Sequence, residues 1–289
     1  MSIASIQSQY PSAIWYDSNH GGTNSGTLDN PYTSMATAMT NASSGGVIAI
    51  LDGTHTEDSR IDLPKSLTFV GESTNAILST SGNSYGGAFN ARSSAFSISL
   101  KTLKVIHNYN GNSYGLITAG NVAGATVTVD GCILEMGSST LASNQRGWFS
   151  GHSSPVTSLT VKNSIILGGT NSTSFGVVIG GDFAQDGFNA LDFQNNTIVV
   201  TGGSANKFSS YSTGITSSIF KNNIFVGAGN SETLGFTPST YSNNCFHNNG
   251  ETSGGTNNLF ASDPLFVDAS TGDYRLRPSS PCINAGTSS

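Results

Sequence analysis

Charge is what this chain has least of. Only 10% of its 289 residues are Asp, Glu, Lys or Arg, against about 25% in ordinary soluble domains. The net charge is −6 and no cluster of Lys or Arg occurs. That excludes nucleic acid or an anionic membrane as the main partner, because either needs a basic stripe. Cysteine is scarce as well. Cys132, Cys245 and Cys282 make an odd number without CxxC or Cys/His spacing, so neither a disulfide framework nor a zinc site is indicated, and buried thiols are expected. No stretch approaches the roughly 20 apolar residues of a membrane-spanning helix. The opening residues MSIASIQSQYPSAIWYDSNH contain neither the basic region nor the apolar core of a secretory signal, so no such signal is expected.

Ser, Thr, Asn and Gly take the place of charge, and they are arranged in repeats. The stretch LTVKNSIILGG, residues 159 to 169, recurs along the sequence. Anchored on the apolar residue two before its Asn or Gly, the copies start at Phe69, Leu100, Val129, Val161, Phe193, Phe220 and Tyr241, at intervals of 31, 29, 32, 32, 27 and 21 residues. Such a period with short apolar segments reads as a solenoid. A second series runs out of phase with it: Ser84-Tyr85-Gly86, Ser113-Tyr114-Gly115, Arg146-Gly147-Trp148, Ser174-Phe175-Gly176 and Ser212-Thr213-Gly214. The segments after these are short, β-branched or aromatic, and bounded by Gly, which favours strands. Two or three strands per 30 residues stack as coils of a parallel β-helix, with equivalent residues about 4.8 Å apart. Asn163, Asn195, Asn222 and Asn243 share one position and should form a structural ladder of buried turn amides bonded to each other and to the turn backbone.

The repeat runs through most of the chain without a linker, so a single domain, residues 1–289, is expected. Residues 1–46 form an N-terminal entry whose one helix candidate spans 32 to 43, with Met35, Ala38, Met39 and Ala42 on one face. This helix should cap the open first coil. Residues 47–260 form the coils, and residues 261–289 close the structure with a hairpin around Ser270 to Asp273.

Two segments carry a family resemblance. The stretch from Trp15 to Ser73, with its Tyr-Asp loop, Pro-aromatic helix start, Ile/Leu strand and Gly-Thr turn, looks like the N-terminal entry of right-handed parallel β-helix proteins. DPLFVDASTGDYRLRPSSPCINAG, residues 263 to 286, is similar to the closing segment of many bacterial and phage β-helix proteins. The resemblance implies an all-β fold, a single-stranded right-handed parallel β-helix of pectate-lyase-like architecture, and says little about activity.

Many proteins of this architecture bind or cut polysaccharide along a lateral groove. The column one residue after the anchors reads Lys101, Asp130, Lys162, Gln194, Lys221 and Ser242. Asp130 beside Lys162 has the residue types for β-elimination, and equally those of a solvated cross-strand ion pair. The densest acidic loop, around Asp182 and Asp186, offers two carboxylates for a glycosidase or for a calcium ion. The motifs that β-helix hydrolases carry, an Asn-Thr-Asp rung, an Asp-Asp pair, a Gly-His-Gly turn and an Arg-Ile-Lys, are all missing. The five His residues fall into no metal-binding spacing, so no metal or other cofactor is expected. Tyr85, Tyr114 and Phe175 occupy one column, which stacks on sugar if it faces outward and fills the core if it faces inward; Trp148, in its own cluster with Arg146 and His152, is a further binding candidate or a core filler.

Three functions fit. The leading expectation is a non-catalytic phage virion structural protein, either a capsid decoration protein or a tail spike or fibre, assembled as a homotrimer on capsid or tail proteins. It would sit on the virion or another extracellular surface. The alternatives are a secreted lyase or hydrolase acting on an acidic polysaccharide, and a passive carbohydrate-binding surface protein.

Overall fold

A strand in a stacked coil must bury one face and pair along both edges, so its side chains alternate inward and outward while its backbone bonds run along the stack. The repeats do this on three faces. The computed structural model describes residues 1–81, 87–91, 96–108, 116–119, 124–136, 149–151, 156–168, 177–179, 187–200, 208–210, 215–227, 238–248, 250 and 252–288. Among these residues the first face holds nine strands, from Ile14–Tyr16 to Thr240–Ser242. The second holds eight, from Gly53–Glu57 to Cys245–His247, and the third six, from Ile61–Asp62 to Phe208–Ser210. Neighbouring strands in each face are parallel and belong to successive coils. The protein is a parallel β-helix, an all-β fold.

The anchors read from the repeat form one inward column. Phe69, Leu100, Val129, Val161, Phe193, Phe220 and Tyr241 are successive cross-strand partners, and all but Tyr241 are fully buried. Leu78, Val105, Leu134, Ile166, Ile198, Phe225 and Phe246 line the second face opposite them. Repetition also aligns aromatic rings. Phe193 stacks on Phe220 with ring centroids 5.1 Å apart, and Phe225 on Phe246 at the same separation. Offset stacking of this kind adds to the area that the rings bury.

Two short helices close the N-terminal end, where one was expected. The helix read as 32 to 43 is α2, Met35–Asn41. It starts later because Tyr32 is engaged as an edge residue: its N–H donates to Trp15 O and its carbonyl accepts from Asp17 N. Ser34 then caps α2 through the N–H of Thr37, and Met35, Ala38 and Met39 plug the core. Lys65 Nζ donates to Thr40 O and Ala42 O at the far end, tying α2 to the first coil. The second helix, α1 (Ile3–Gln9), lies outside the first face. There the outward column begins with Trp15, Ala49 and Val70 before it turns polar at Lys101. Ile6 is completely buried against that apolar start, with Ile3 and Tyr10 beside it.

The C-terminal end closes with a partial coil, in which Thr256 and Leu259 bridge to Ser242 and Cys245. An antiparallel hairpin follows, Phe266–Asp268 with Asp273–Leu276. Its Tyr274 lies near Glu135 on an earlier coil: burial first, then the Glu135 charge, pushes the phenol up.

If α1 holds the first face, replacing Ile6 by Ala should lower unfolding free energy by about 2 kcal/mol or more. The exposed neighbour change Gln7→Ala should cost less than about 0.5 kcal/mol. Equal urea midpoints for the two variants would show that α1 contributes nothing to the stack.

Candidate functional site

The turn from the first face to the second is the most regular polar feature of the molecule. From the Leu100 copy onward the turn takes one residue with left-handed backbone, which costs an ordinary side chain about 1–2 kcal/mol and suits Gly or Asn. Thr102, Gly131, Asn163, Asn195, Asn222, Asn243 and Asn257 occupy this position, with φ between 50° and 65°. The backbone ladder continues through it: Asn163 N donates to Gln194 O and Asn195 N to Lys221 O. The side chains form an outer ladder. Asn195 Nδ2 donates to Asn163 Oδ1 at 3.2 Å and Asn222 Nδ2 to Asn195 Oδ1 at 3.1 Å. At one end Asn163 Nδ2 donates to Asp130 Oδ1 at 2.8 Å; at the other, Asn243 Nδ2 donates to Ala285 O.

Burial corrects the expectation for this ladder, because Asn163 and Asn195 are exposed. The buried amides belong to the following residue, in the column Leu103, Cys132, Ser164, Asn196, Asn223, Asn244 and Asn258. Asn223 Oδ1 accepts from Asn196 N at 3.1 Å and Asn196 Nδ2 at 3.0 Å, while Asn196 Nδ2 also donates to Val161 O at 2.7 Å. Asn244 Oδ1 and Asn258 Oδ1 repeat the first pattern one and two coils on. The signal was present as four Asn-Asn pairs, whose second member is the inward one.

The outward strip beside the turn carries the charges. Asp130 and Lys162 are cross-strand partners by register, but Lys162 Nζ reaches Asp192 Oδ2 instead, at 2.8 Å. Gln194 Nε2 donates to the other Asp192 oxygen at 2.6 Å. Lys101 Nζ donates to the Tyr10 hydroxyl at 3.0 Å and lies over its ring. Lys221 Nζ donates to Ser288 O at 2.6 Å. The strip therefore presents carboxylates already neutralised or hydrogen-bonded, together with amides and hydroxyls.

A second polar cluster, missed in the sequence because its residues lie far apart, sits at the N-terminal entry. The fully buried His55 holds Leu51 O at 2.8 Å from its Nε2. A carbonyl only accepts, so Nε2 carries the proton and Nδ1 accepts from Ser18 N and Ser18 Oγ, at 3.2 and 3.1 Å. Asp17 lies 3.7 Å from the same Nδ1. Serine and carboxylate thus meet one nitrogen, whereas a relay needs them on opposite nitrogens. The cluster fixes the entry loop. Tyr16, whose hydroxyl donates to Glu57 Oε1 at 2.5 Å, is raised well above the ordinary phenol value by burial and then by Glu57.

The remaining candidates, Asp182, Asp186, Tyr85, Tyr114 and Trp148, lie outside the described residues, and the alternative of a calcium ion at Asp182 and Asp186 falls there with them. Among the described residues no group of three His, Cys, Asp or Glu side chains is placed to hold a metal ion. No helix among them is long and apolar enough to cross a membrane.

Replacing Asn196 by Leu strands the Ser164 N–H and Val161 O partners, at about 1–3 kcal/mol for each buried group. Asn195→Gly keeps the left-handed turn and loses two exposed amide bonds, so it should cost less than about 1 kcal/mol. Similar denaturation midpoints for these two variants would reverse the assignment of inner and outer ladders. A pH effect is also expected. His107 is buried with Nδ1 2.9 Å from Thr80 Oγ1, and burial pushes its imidazole down to about 4. The unfolded chain, titrating near 6.5, binds more protons than the folded one between these values. The stabilisation from neutral His107 is therefore complete above pH 6.5 and is lost as pH falls towards 4, by up to about 3 kcal/mol. Unfolding of His107→Gln should depend less steeply on pH than that of the parent between pH 7 and 4.5; parallel curves would exclude His107 as the source.

Compared with known proteins, the chain matches no family model, and no curated protein is similar to it in sequence. Its function rests on its own residues.

Proposed function

We propose that this protein is a non-catalytic structural component of a phage virion, of capsid-decoration or tail spike/fibre type, located on the particle surface. It displays its lateral strip to carbohydrate or host surface and binds capsid or tail proteins through one end or flank. The observation that carries this reading is the state of the carboxylates on the described coil strands. Glu57 accepts from Tyr16, Asp62 from Arg60 and Asn90, Asp130 from Asn163, Glu135 from Lys104, and Asp192 from Lys162 and Gln194.

Glycoside hydrolysis needs two carboxyl groups about 5–9.5 Å apart with one free to move a proton, and β-elimination needs an available base. A strip whose acids are spent on their neighbours suits recognition by hydrogen bonding. The outward residues Ile133, Ile165, Thr197 and Ile224 form a half-buried column on the second face, apolar except at Thr197. Such a column supports flank-to-flank contact, and attachment to a symmetric particle favours a homotrimer.

The expected outcome is that the protein co-purifies with intact particles in copy numbers divisible by three, measured by quantitative mass spectrometry. Purified protein should release no unsaturated or reducing ends from alginate, pectate or host capsular polysaccharide. Depolymerisation that disappears in Asp192→Ala, Lys162→Ala, Asp182→Ala or Asp186→Ala would replace this reading with the polysaccharide lyase or hydrolase. Absence from purified particles would also overturn it.

A further inference from the structure

The outer Asn ladder already carries a length of the protein's own main chain over part of its run. Asn243 Nδ2 donates to Ala285 O at 2.8 Å. One coil back, the Asn222 amide holds both main-chain groups of Thr287: its Nδ2 donates to the carbonyl at 2.8 Å and its Oδ1 accepts from the N–H at 3.0 Å. Alternate residues of the segment thus meet successive coils, and Lys221 Nζ donates to Ser288 O beside them. Gly286 lies close against the ladder, where a Cβ would come within 3.3 Å of Asn222 Oδ1. Two rungs lack this cover. Asn163 and Asn195 are exposed, whereas Asn222 and Asn243 beneath the segment are half-buried.

We propose that Asn163 and Asn195 form a docking track for a second peptide, an uncharged extended segment of another protein that contains glycine followed by a small hydroxyl residue. A carboxamide has two hydrogens to give and two oxygen lone pairs to fill. Asn195 spends one hydrogen on Asn163 and one lone pair on Asn222, while Asn163 spends one hydrogen on Asp130 and one lone pair on Asn195. Each keeps one donor and one acceptor, the pair with which Asn222 grips Thr287. All three share the left-handed turn, with φ from 51° to 58°, and the ladder bonds set their amides in one series. The grip at Asn222 is therefore repeated at both exposed rungs. Main-chain bonds supply the attraction in this mode of recognition, and the room left for side chains supplies the selection. Glycine is selected because a Cβ over the amide would press on it, as it would at Gly286. Charge is not selected, because Lys162 and Asp192 beside the track neutralise each other. Peptide docking does not require a virion, so its failure would leave the proposed function standing.

The test uses the full chain and a synthetic peptide with the sequence of residues 284 to 289, Asn-Ala-Gly-Thr-Ser-Ser, blocked at both ends. Nitrogen-15 NMR of the side-chain amides reads where it binds. The Asn163 and Asn195 signals should shift and saturate, while those of Asn222 and Asn243 stay in place because the protein's own segment holds them. Asn195→Gly keeps the left-handed turn and should weaken binding about tenfold or more, as expected for two lost neutral bonds. The peptide with Gly286→Val should not bind. The proposal is overturned if the Asn163 and Asn195 signals stay in place up to the solubility limit of the peptide, or if Asn222 and Asn243 shift instead, which would mean exchange with the protein's own segment. It is equally overturned if Asn195→Gly binds the peptide as tightly as the parent, or if the Gly286→Val peptide binds as tightly as the original.

Discussion

Stacking the same turn every ~4.8 Å leaves its inner side out of reach of water, so every backbone N–H and C=O there must find a partner within the protein. The buried amides of Asn196, Asn223 and Asn244 and the half-buried amide of Asn258 supply those partners. Each oxygen in the series from Asn223 to Asn258 accepts a backbone N–H and a side-chain N–H from the coil before. The nitrogens of Asn196, Asn223 and Asn244 donate to carbonyls there. The turn is thus tied coil to coil by side chains as well as by backbone. Earlier in the chain Leu103 and Cys132 fill the same column with apolar atoms, and Ser164 is the transition, accepting from Cys132 N and donating to Lys162 O. One position therefore changes from packing to hydrogen bonding along the stack.

Much of this was legible in the sequence, because parallel register converts a repeat into a column. The seven anchors from Phe69 to Tyr241 needed only their spacing to be recognised, and from Gly131 on the αL position is marked by Gly or Asn. The helix α1 did not. Three large apolar residues in eight, Ile3, Ile6 and Tyr10, are too few to show a period, and what holds them is the outer surface formed by Trp15, Ala49 and Val70 from three different coils. The inner Asn was overlooked because the first Asn of each pair already explained the motif. Lys162 misled in another way. Register names its neighbour in the same column, but a long side chain reaches diagonally, and Asp192 with Gln194 gives it a better-satisfied site than Asp130.

The low charge of the chain follows from the same geometry. In a stack of parallel strands an ionised residue faces its own counterpart on the next coil, so a column of like charges would repel along its whole length. Alternation of Lys101, Asp130 and Lys162 avoids this, and Gln194 separates Lys162 from Lys221. Neutral hydroxyls and amides repeat without that penalty, which is why Thr68, Ser99, Thr128 and Thr160 succeed each other in the neighbouring outward column.

The segment from Ala285 to Ser288 runs back along the outer edge of the turn, meeting Asn243 first, then Asn222, then Lys221. It is synthesised after the coils it binds. Until it has been made, the outer turn amides of Asn222 and Asn243 lack these partners. The returning segment then crosses several coils at once, so that part of the stack becomes one cooperative unit only after all of its members are in place.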